Sequence, residues 1–292
     1  MTDYILNLLT LIIIMSMITL CLNVIIGYIG YLHLGLVGIW AVGSYAYALM
    51  AVHGFPFFVA MLGGGIFAGA AGLLLGLPTL RLKSHYFGIA SLGLMYIVYS
   101  LLLNLTDLTR GPLGIPGILR PTLFGISFSG PAMYFVLTLA VSLVVGFLLY
   151  RILKSPFGKI LETIREDEIA AKALGKNTYA YKLQAFVLSS FFVGIISALS
   201  ASYFQYISPT GFQVEQLIFF LAALMVGGAG SFWGGIVGAF VLLTIQELTR
   251  FIPLTPNAVG PVRTMIYALL LIFVMLYKPD GLMGKKMKVY QR

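Results

Sequence analysis

The chain has 292 residues, of which 60% are hydrophobic and 9% are charged. A soluble globular domain carries about 25% charged residues, so this chain has too few polar groups for a water-facing surface and predicts a protein immersed in a bilayer. Its net charge of +9 is typical of cytoplasmic loops that collect Lys and Arg. No basic stripe lies on a soluble domain, which argues against a nucleic-acid partner.

Nine apolar runs predict an all-α integral membrane protein that forms a single multi-spanning domain over residues 1–292, with about nine to ten transmembrane helices. The first run follows Asp3 rather than a basic segment, so we interpret it as a retained helix and not as a cleaved signal. Apolar runs of about 20 residues must be helical in a bilayer, because lipid offers no hydrogen-bond partners to unpaired backbone groups. The runs lie roughly at 5–26, 31–52, 57–77, 86–103, 133–151, 184–204, 215–228, 232–248 and 264–277.

Two glycine-rich segments interrupt these runs, one in each half of the chain. Both contain the pattern G-x4-G-x-V-G, at 30, 35, 37 and 38 and again at 230, 235, 237 and 238. Glycine-interrupted helices at corresponding positions of two halves are typical of transporters built from a repeat, with the breaks near the transport pathway. Glycines that only let helices pack closely would give a similar pattern. We therefore predict possible broken helices in two related halves, with close packing as the alternative.

The loop at 104–132 contains a further glycine-rich pattern, Thr109-Arg-Gly-Pro-Leu-Gly-Ile-Pro-Gly117. Its prolines and glycines forbid a regular helix. Two interpretations stay open. The segment either folds back toward the membrane and lines an external entrance, or it is a turn-rich surface loop.

The longest charged stretch is the segment 152–183. Its apolar residues recur at spacings of three, four and seven, which predicts a short amphipathic helix from Lys159 to Leu174. Ser155 suits the cap of this helix, Pro156 its first turn and Gly175 its end. The apolar side of such a helix needs a partner, and the mixed charges favour a docked protein over an anionic lipid surface.

Basic residues concentrate in three segments, at 78–85, at 151–183 and in the tail after 277. An even number of predicted spans separates each pair, so all three are expected on the cytoplasmic side together with the C-terminus. The loop 104–132 then faces outward. Within the first segment, Arg81, Lys83 and His85 would also suit a phosphate or a lipid headgroup, although the ordinary topology signal is the favoured explanation.

Several motifs together give a resemblance that covers almost the whole chain. Glu168-Ile-Ala-Ala-Lys-Ala-Leu-Gly175 resembles the EAA loop of ABC-importer permeases, a short helix that seats in a groove of the ATPase subunit. The full set resembles the LivM-type permeases of branched-chain amino-acid ABC importers in order and spacing. The other motifs are Leu77-Pro-Thr-Leu-Arg-Leu-Lys-Ser-His-Tyr-Phe87, Thr109-Arg-Gly-Pro-Leu-Gly-Ile115, Ser155-Pro-Phe-Gly158, Ile164-Arg-Glu-Asp-Glu-Ile-Ala-Ala171, Leu224-Met-Val-Gly-Gly-Ala-Gly-Ser231 and Lys278-Pro-Asp-Gly-Leu282.

The resemblance implies a transport subunit in a prokaryotic plasma membrane, surrounded by lipid. It also implies a second, LivH-like permease, two cytoplasmic ATPase subunits and an extracytoplasmic substrate-binding protein. ATP and Mg would bind to the ATPases, and the chain itself shows no G-x4-G-K-S/T phosphate loop. We expect no cofactor in this chain. We also expect no metal site, since the single Cys21 and the few histidines form no cluster with metal-ligand spacing.

Branched-chain amino acids are the solute that the resemblance implies, with urea, short amides and other amino acids as alternatives. One departure bears on this choice. Where the family usually reads like G-Q-x-S-L-G-H, this chain has Tyr31, His33 and Leu36 in place of the glutamine, the serine and the histidine. If this stretch lines the pathway, the solute differs from that of typical members. A buried core histidine is the other interpretation of His33.

The resemblance and the glycine segments together select two sets of candidate residues. The residues expected to couple the chain to an ATPase are Ser155, Pro156, Gly158, Arg165, Glu168, Ala170, Ala171 and Gly175. The residues expected to line the substrate pathway are Tyr31, His33, Gly35, Thr109, Gly111 and Gly114.

Two other classes of function are weighed against a permease subunit. An ion-coupled secondary transporter would need carboxylates inside its spans, and Glu215 and Glu247 are the only acids near predicted spans. A membrane enzyme would need a catalytic constellation. The chain shows no nucleophile elbow and no paired acid–base motif, so no catalytic residue is predicted.

Overall fold

The computed structural model describes residues 2–82, 84–123, 126–248, 256–278 and 280–284. Helices dominate it, and short 3₁₀ turns lie at Gly111–Leu113 and Pro209–Gly211. The α-helices are α1 (Thr2–Asn23), α2 (Leu36–Val52), α3 (Phe57–Thr79), α4 (Ser84–Asn104), α5 (Thr106–Thr109), α6 (Pro131–Lys154), α7 (Pro156–Glu166), α8 (Glu168–Ala173), α9 (Thr178–Phe204), α10 (Val214–Gly227), α11 (Phe232–Leu248) and α12 (Pro256–Tyr277). The strands are β1 (Ile115–Pro116), β2 (Thr122–Leu123), β3 (Ile126–Ser127) and β4 (Tyr206–Ile207).

Nine apolar helical segments follow the nine predicted runs in order, which confirms the all-α membrane fold. Six of them are long and apolar enough to cross a membrane by length and composition. These are Thr2–Ile29, Phe57–Thr79, Ser84–Asn104, Pro131–Lys154, Thr178–Phe204 and Pro209–Gly227. Among the described residues, the shorter apolar stretches are α2 (Leu36–Val52), Phe232–Glu247 of α11 and Met265–Val274 of α12.

Both predicted glycine segments interrupt helices. At the first, α1 passes into a π-helical turn at Val24–Ile29, which ends at Gly30 with φ of +82°. At the second, Gly230 has φ of +81° between α10 and α11. Residues with a side chain rarely adopt this left-handed backbone conformation, so glycine is needed where the chain leaves each helix. The predicted run 31–52 is consequently helical only from Leu36 onward. The relation between the two halves stays a prediction.

Close packing of glycines also occurs, at a crossing of α2, α3 and α9 in the centre of the molecule. A Cβ atom added to Gly194 would lie 2.4 Å from the carbonyl oxygen of Gly64. One added to Gly43 would lie 2.7 Å from the Cα atom of Gly194. Glycine allows this approach of backbones inside a membrane bundle. The helix that passes through the crossing, α9, is the longest described, with 27 residues.

The charged segment contains two helices where the sequence predicted one from Lys159 to Leu174, and that prediction was wrong. Asp167 has an extended backbone between α7 and α8, and its carboxylate accepts hydrogen bonds from the N–H groups of Ile169 and Ala170. Asp is a strong N-cap residue, so it starts a new helix in the middle of the apolar pattern.

The two ends of the charged segment agree with their predicted signals. Ser155 caps α7, where its side chain accepts a hydrogen bond from the N–H of Phe157 at 3.2 Å. Pro156 is the first residue of that helix. Gly175 follows α8 with φ of +75°, the conformation that commonly ends a helix at glycine.

The loop after α4 folds back onto this chain's own turn after α9. There β1 pairs with β4 in antiparallel register, with Ile115 opposite Ile207. A Cβ atom at Gly114 would lie 2.2 Å from the carbonyl oxygen of Ile207, so the strands can approach only because position 114 is glycine. We name this pairing the β1–β4 clasp.

Candidate functional site

The two glycine breaks meet in the folded chain at the buried side chain of Asn23. Its Nδ2 donates a hydrogen bond to the carbonyl of Ser231 at 2.7 Å, and its Oδ1 accepts one from the N–H of Gly230 at 2.9 Å. Gly27 lies against the same turn, because a Cβ atom there would be 2.4 Å from the nitrogen of Gly230. We call Asn23, Gly27, Gly30, Gly230 and Ser231 the glycine junction.

Arg165 of α7 reaches into the glycine junction. Its Nη1 donates a hydrogen bond to the carbonyl of Gly27. The same Nη1 atom lies 2.5 Å from the place that a Cβ of Gly230 would occupy, and the Arg165 stem lies 3.0 Å from that of Gly30. One guanidinium therefore contacts both breaks, and any movement of α7 acts on both of them.

A buried lysine makes a second connection, between α8 and the first break. Lys182 of α9 is 2% exposed. Its Nζ lies 2.6 Å from Oε2 of Glu168 and donates a hydrogen bond to the hydroxyl of Tyr31 at 2.8 Å. Thr178 and Lys172 hold the other carboxylate oxygen of Glu168, each at 3.0 Å. We call Tyr31, Glu168, Thr178 and Lys182 the Glu168 cluster.

The charges of the Glu168 cluster compensate one another. Burial alone would raise the pKa of Glu168, but the hydrogen bonds from Lys182, Lys172 and Thr178 outweigh it and lower the pKa to about 2. The carboxylate is thus ionised at neutral pH. An ammonium as buried as that of Lys182 needs such a partner, so α8 is tied to α9 and to the first break.

The predicted coupling residues at the start of the charged segment have structural roles. Ser155 and Pro156 begin α7. Gly158 lets α7 turn tightly after α6, because a Cβ atom there would lie 2.0 Å from the carbonyl oxygen of Leu153. Arg165 and Glu168, further along, make the two connections to the glycine break described above.

Some apolar residues of the charged segment are buried against this chain, and others are exposed at the surface. Leu161, Ile164 and the predicted coupling residue Ala171 are buried against the chain itself, so α7 has an internal partner. On α8, Ile169 is 80% exposed and Leu174, just after the helix, is 75% exposed. Ala170 and Gly175 are also exposed, so this part of the segment presents apolar and small residues that an external partner can reach.

The predicted pathway residues form two groups that the structure does not bring together. Tyr31, His33 and Gly35 lie beside the first half of α4, where a Cβ of Gly35 would be 2.7 Å from the carbonyl oxygen of Ser91. The ring of His33 packs edge-on against Phe186 at 4.9 Å between centroids. Its Nδ1 is buried and has no hydrogen-bond partner among the described residues.

The second group lies near the other end of α4. The hydroxyl of Thr109 donates to the carbonyl of Leu102 at 2.6 Å and accepts from the N–H of Gly111 at 3.2 Å. Gly114 begins the β1–β4 clasp. Eleven residues of helix separate Ser91 from Leu102, which corresponds to about 16 Å at the rise of about 1.5 Å per residue.

The three departures from the family pattern all face this chain's own interior. Leu36 and His33 are buried, and Tyr31 belongs to the Glu168 cluster. Tyr31 and His33 both pack against Phe87 of α4, and on α9 Tyr31 contacts Lys182 while His33 contacts Phe186. Their identities therefore reflect internal packing and the tie to α8.

Nine apolar helices, two helix breaks that meet and a charged segment that contacts both breaks define a polytopic membrane permease. The chain belongs to the family described as branched-chain amino acid transport system permease component, whose family model matches residues 4–276. This confirms the family that the motifs indicated.

Two relatives agree with this placement. The chain is 36% identical to the high-affinity branched-chain amino acid transport system permease protein LivM of Escherichia coli, over 94% of this chain and 68% of that protein. It is 35% identical to LivM of Salmonella typhimurium, over 90% of this chain and 66% of the relative. The chain thus spans about two thirds of the length of these relatives.

An inward-facing metal-chelate-type ABC transporter shares the fold. Its TM-score to this chain is 0.55 at 18% sequence identity, and the match covers 94% of this chain and 87% of that one. At this identity the likeness concerns the arrangement of helices alone.

Proposed function

We propose that the chain is a permease subunit of an ATP-driven importer for branched-chain amino acids, and that it works with separate ATPase subunits. The observation that carries this proposal is the double contact of the charged segment with the first helix break. Arg165 hydrogen-bonds Gly27, and Glu168 reaches Tyr31 through Lys182. A push on α7 and α8 would thus be transmitted directly to the glycine junction.

The exposed side of α8 is the proposed seat for the ATPase. Residues three or four apart share a helix face, so Glu168 and Lys172 point to one side. Ala170 and Leu174 are four residues apart and share another side, and Ile169 is exposed next to Ala170. Exposed apolar side chains rimmed by the charged residues of this segment support a protein interaction site there. ATP and Mg would bind to the ATPase, not to this chain.

A second permease of LivH type and an extracytoplasmic binding protein would complete the importer. The side of the membrane is proposed from charge. Arg81 and Lys176 line one cavity, and Gly281 packs against Gly228 beside the glycine junction. The three basic segments thus lie at one end of the molecule, which would be cytoplasmic. Lys83 and the tail beyond residue 284 lie outside the described residues.

Branched-chain amino acids are the proposed solute because the relatives are named for them. Since Tyr31 and His33 are buried within this chain, their departure from the family pattern does not favour another solute. Urea, short amides and other amino acids stay as outcomes of the transport experiment.

The solute is tested with the chain, its partner permease and the ATPases in proteoliposomes. We expect ATP-dependent uptake of labelled leucine when the binding protein is present outside. Unlabelled isoleucine and valine should compete for this uptake, whereas urea and acetamide should not. Equal competition by urea, or uptake that needs an ion gradient instead of ATP, would contradict the proposal.

The docking side of α8 is tested by introducing two negatively charged side chains there. The double variant Ile169→Glu, Leu174→Glu should lower ATPase co-purification at least about tenfold, because desolvating each new carboxylate at an apolar contact costs about 1 kcal/mol or more. The matched control is Leu113→Glu, Leu119→Glu, which alters leucines that are 79% and 78% exposed near the β1–β4 clasp. Equal ATPase recovery from both variants would refute the assignment of this side.

The positions of the Asp and Glu residues do not support an ion-coupled transporter. The structure describes all nine Asp and Glu residues. Glu215 lies in the first turn of α10, and Glu247 lies in the last turn of α11, where it accepts a hydrogen bond from Tyr4. Neither carboxylate lies in the middle of a span, where a coupling ion would be bound.

A further inference from the structure

A cavity of about 840 Å³ opens between the end of α3 and the start of α9. Its volume falls within the about 300–1,000 Å³ of typical small-ligand sites. The Glu168 cluster forms one wall of it. Among the described residues, its basic lining side chains are Arg81, Lys172, Lys176 and Lys182.

The charge of this cavity is strongly unbalanced. Four of the lining residues are basic and one is acidic. The carboxylate of Glu168 already holds Lys172 and Lys182. Among the described residues, Arg81 and Lys176 have no carboxylate within ion-pair distance. Two cationic groups therefore face a concave space without a counter-ion.

Further features of the cavity favour an anionic group with oxygen acceptors. The guanidinium of Arg81 lies 5.8 Å from the ring centroid of Tyr179, and an arginine held against a ring can still donate its paired N–H groups to a phosphate. Asn177 and Thr178 place the start of α9 in the same wall, and the positive end of a helix dipole favours an anion there.

The rim of the cavity continues into an apolar stripe on α3. Leu82 lines the cavity and is itself exposed. The backbone of Leu77 also belongs to the rim, because its carbonyl accepts a hydrogen bond from Tyr179 at 2.8 Å. The exposed side chains of the stripe recur at helical spacing toward the middle of α3, namely Leu77, Leu74, Leu73, Phe67 and Ile66. A phospholipid whose headgroup occupies the cavity can extend an acyl chain along this stripe, which a free inorganic ion cannot do.

We propose that this cavity binds the phosphate headgroup of an anionic phospholipid, with Arg81 and Lys176 as its ligands and the stripe on α3 as the path of an acyl chain. Ile169, Ala170 and Leu174 of the docking side do not line the cavity, whereas Lys172 and Gly175 do. The lipid thereby touches Lys172 and the Glu168 cluster without competing for Ile169 or Leu174.

The test measures lipid binding, which does not depend on transport. The full-length chain is purified in detergent, delipidated and titrated with phosphatidylglycerol, phosphatidylcholine or inorganic phosphate, and bound molecules are counted by native mass spectrometry. The test variant is Arg81→Gln, Lys176→Gln. The control is Arg151→Gln, Lys159→Gln, which removes one exposed arginine and one exposed lysine outside the cavity.

We expect phosphatidylglycerol to bind in preference to phosphatidylcholine. The test variant should weaken that binding about 25-fold, from about fivefold for each charge removed near a lipid headgroup, and the control should bind as the unaltered chain does. Equal binding by the test and control variants would overturn the proposal. So would displacement of the lipid by an equal concentration of inorganic phosphate, which would identify free phosphate as the ligand. If added ATPase abolished lipid binding, the cavity would be part of the ATPase interface instead.

Discussion

Gly27→Ala is expected to destabilise the chain by about 3 kcal/mol or more, at the upper end of overpacking costs. The added methyl group would lie 2.4 Å from the backbone nitrogen of Gly230 and 1.9 Å from Oδ1 of Asn23. The backbone cannot yield as a flexible side chain can. If the breaks separate, Asn23 loses both of its hydrogen bonds inside a buried site, which adds the cost of unsatisfied polar groups.

The matched control for this prediction is Gly93→Ala. Gly93 lies in α4, and a Cβ atom there would meet nothing within 4 Å. Alanine costs less backbone entropy in a helix than glycine, so the control should be neutral or stabilising by up to about 1 kcal/mol. Thermal unfolding in detergent compares the two variants. Equal unfolding midpoints would mean that the glycine junction does not hold the two halves together.

Arg165→Ala is expected to separate ATP hydrolysis from transport. The variant removes the hydrogen bond to Gly27 and the contact with Gly230, while the docking side of α8 stays in place. Uptake should fall at least about tenfold, since a buried hydrogen bond from a charged group contributes about 1.5–3 kcal/mol. ATP hydrolysis by the assembled complex should continue.

Two further variants make the result of Arg165→Ala interpretable. Arg165→Lys keeps the charge but cannot donate from a planar fork, so we expect partial uptake. Arg151→Ala removes an exposed arginine at the end of α6 and should transport normally. If Arg165→Ala transported at the unaltered rate, coupling through the glycine junction would be refuted. If it lost ATPase during purification, Arg165 would act in assembly instead.

The placement of the spans was predictable from sequence because lipid imposes a simple rule on apolar runs. The two glycine segments were also visible, since the same spacing recurs 200 positions apart at Gly30 and Gly230. The start of α7 at Ser155 and the turn at Gly175 followed from local capping chemistry. Such features depend on a few neighbouring residues, so one sequence suffices to predict them.

Arg165, Glu168 and Tyr31 were singled out from sequence, but two other residues that connect these elements, Lys182 and Asn23, were not. Lys182 was counted among the basic residues of a loop, yet it is buried against Glu168 and Tyr31. Asn23 lies near the end of an apolar run. Its position was one available signal in the sequence, because a buried amide side chain needs hydrogen-bond partners. Nothing local shows that those partners are at Gly230 and Ser231. Long-range pairs of this kind depend on how helices pack.

The interruption at Asp167 shows a different limit. The apolar spacing on either side of it fits one helix, although Asp is also a strong N-cap residue. Once Asp167 turns the chain, Leu161 and Ile164 face inward while Ile169 faces outward. The division into one buried part and one exposed part could not be read from periodicity alone.

The close backbone contact of Gly43, Gly64 and Gly194 lies near the middle of α9 and divides this helix into two arms. The helix is about 40 Å long at about 1.5 Å per residue over its 27 residues. Lys182 lies toward one end, Gln205 and the β1–β4 clasp lie at the other, and the close backbone contact at Gly194 lies between them. A rigid tilt of α9 about this contact would move the Lys182 end and the clasp in opposite directions, because the two arms have similar lengths.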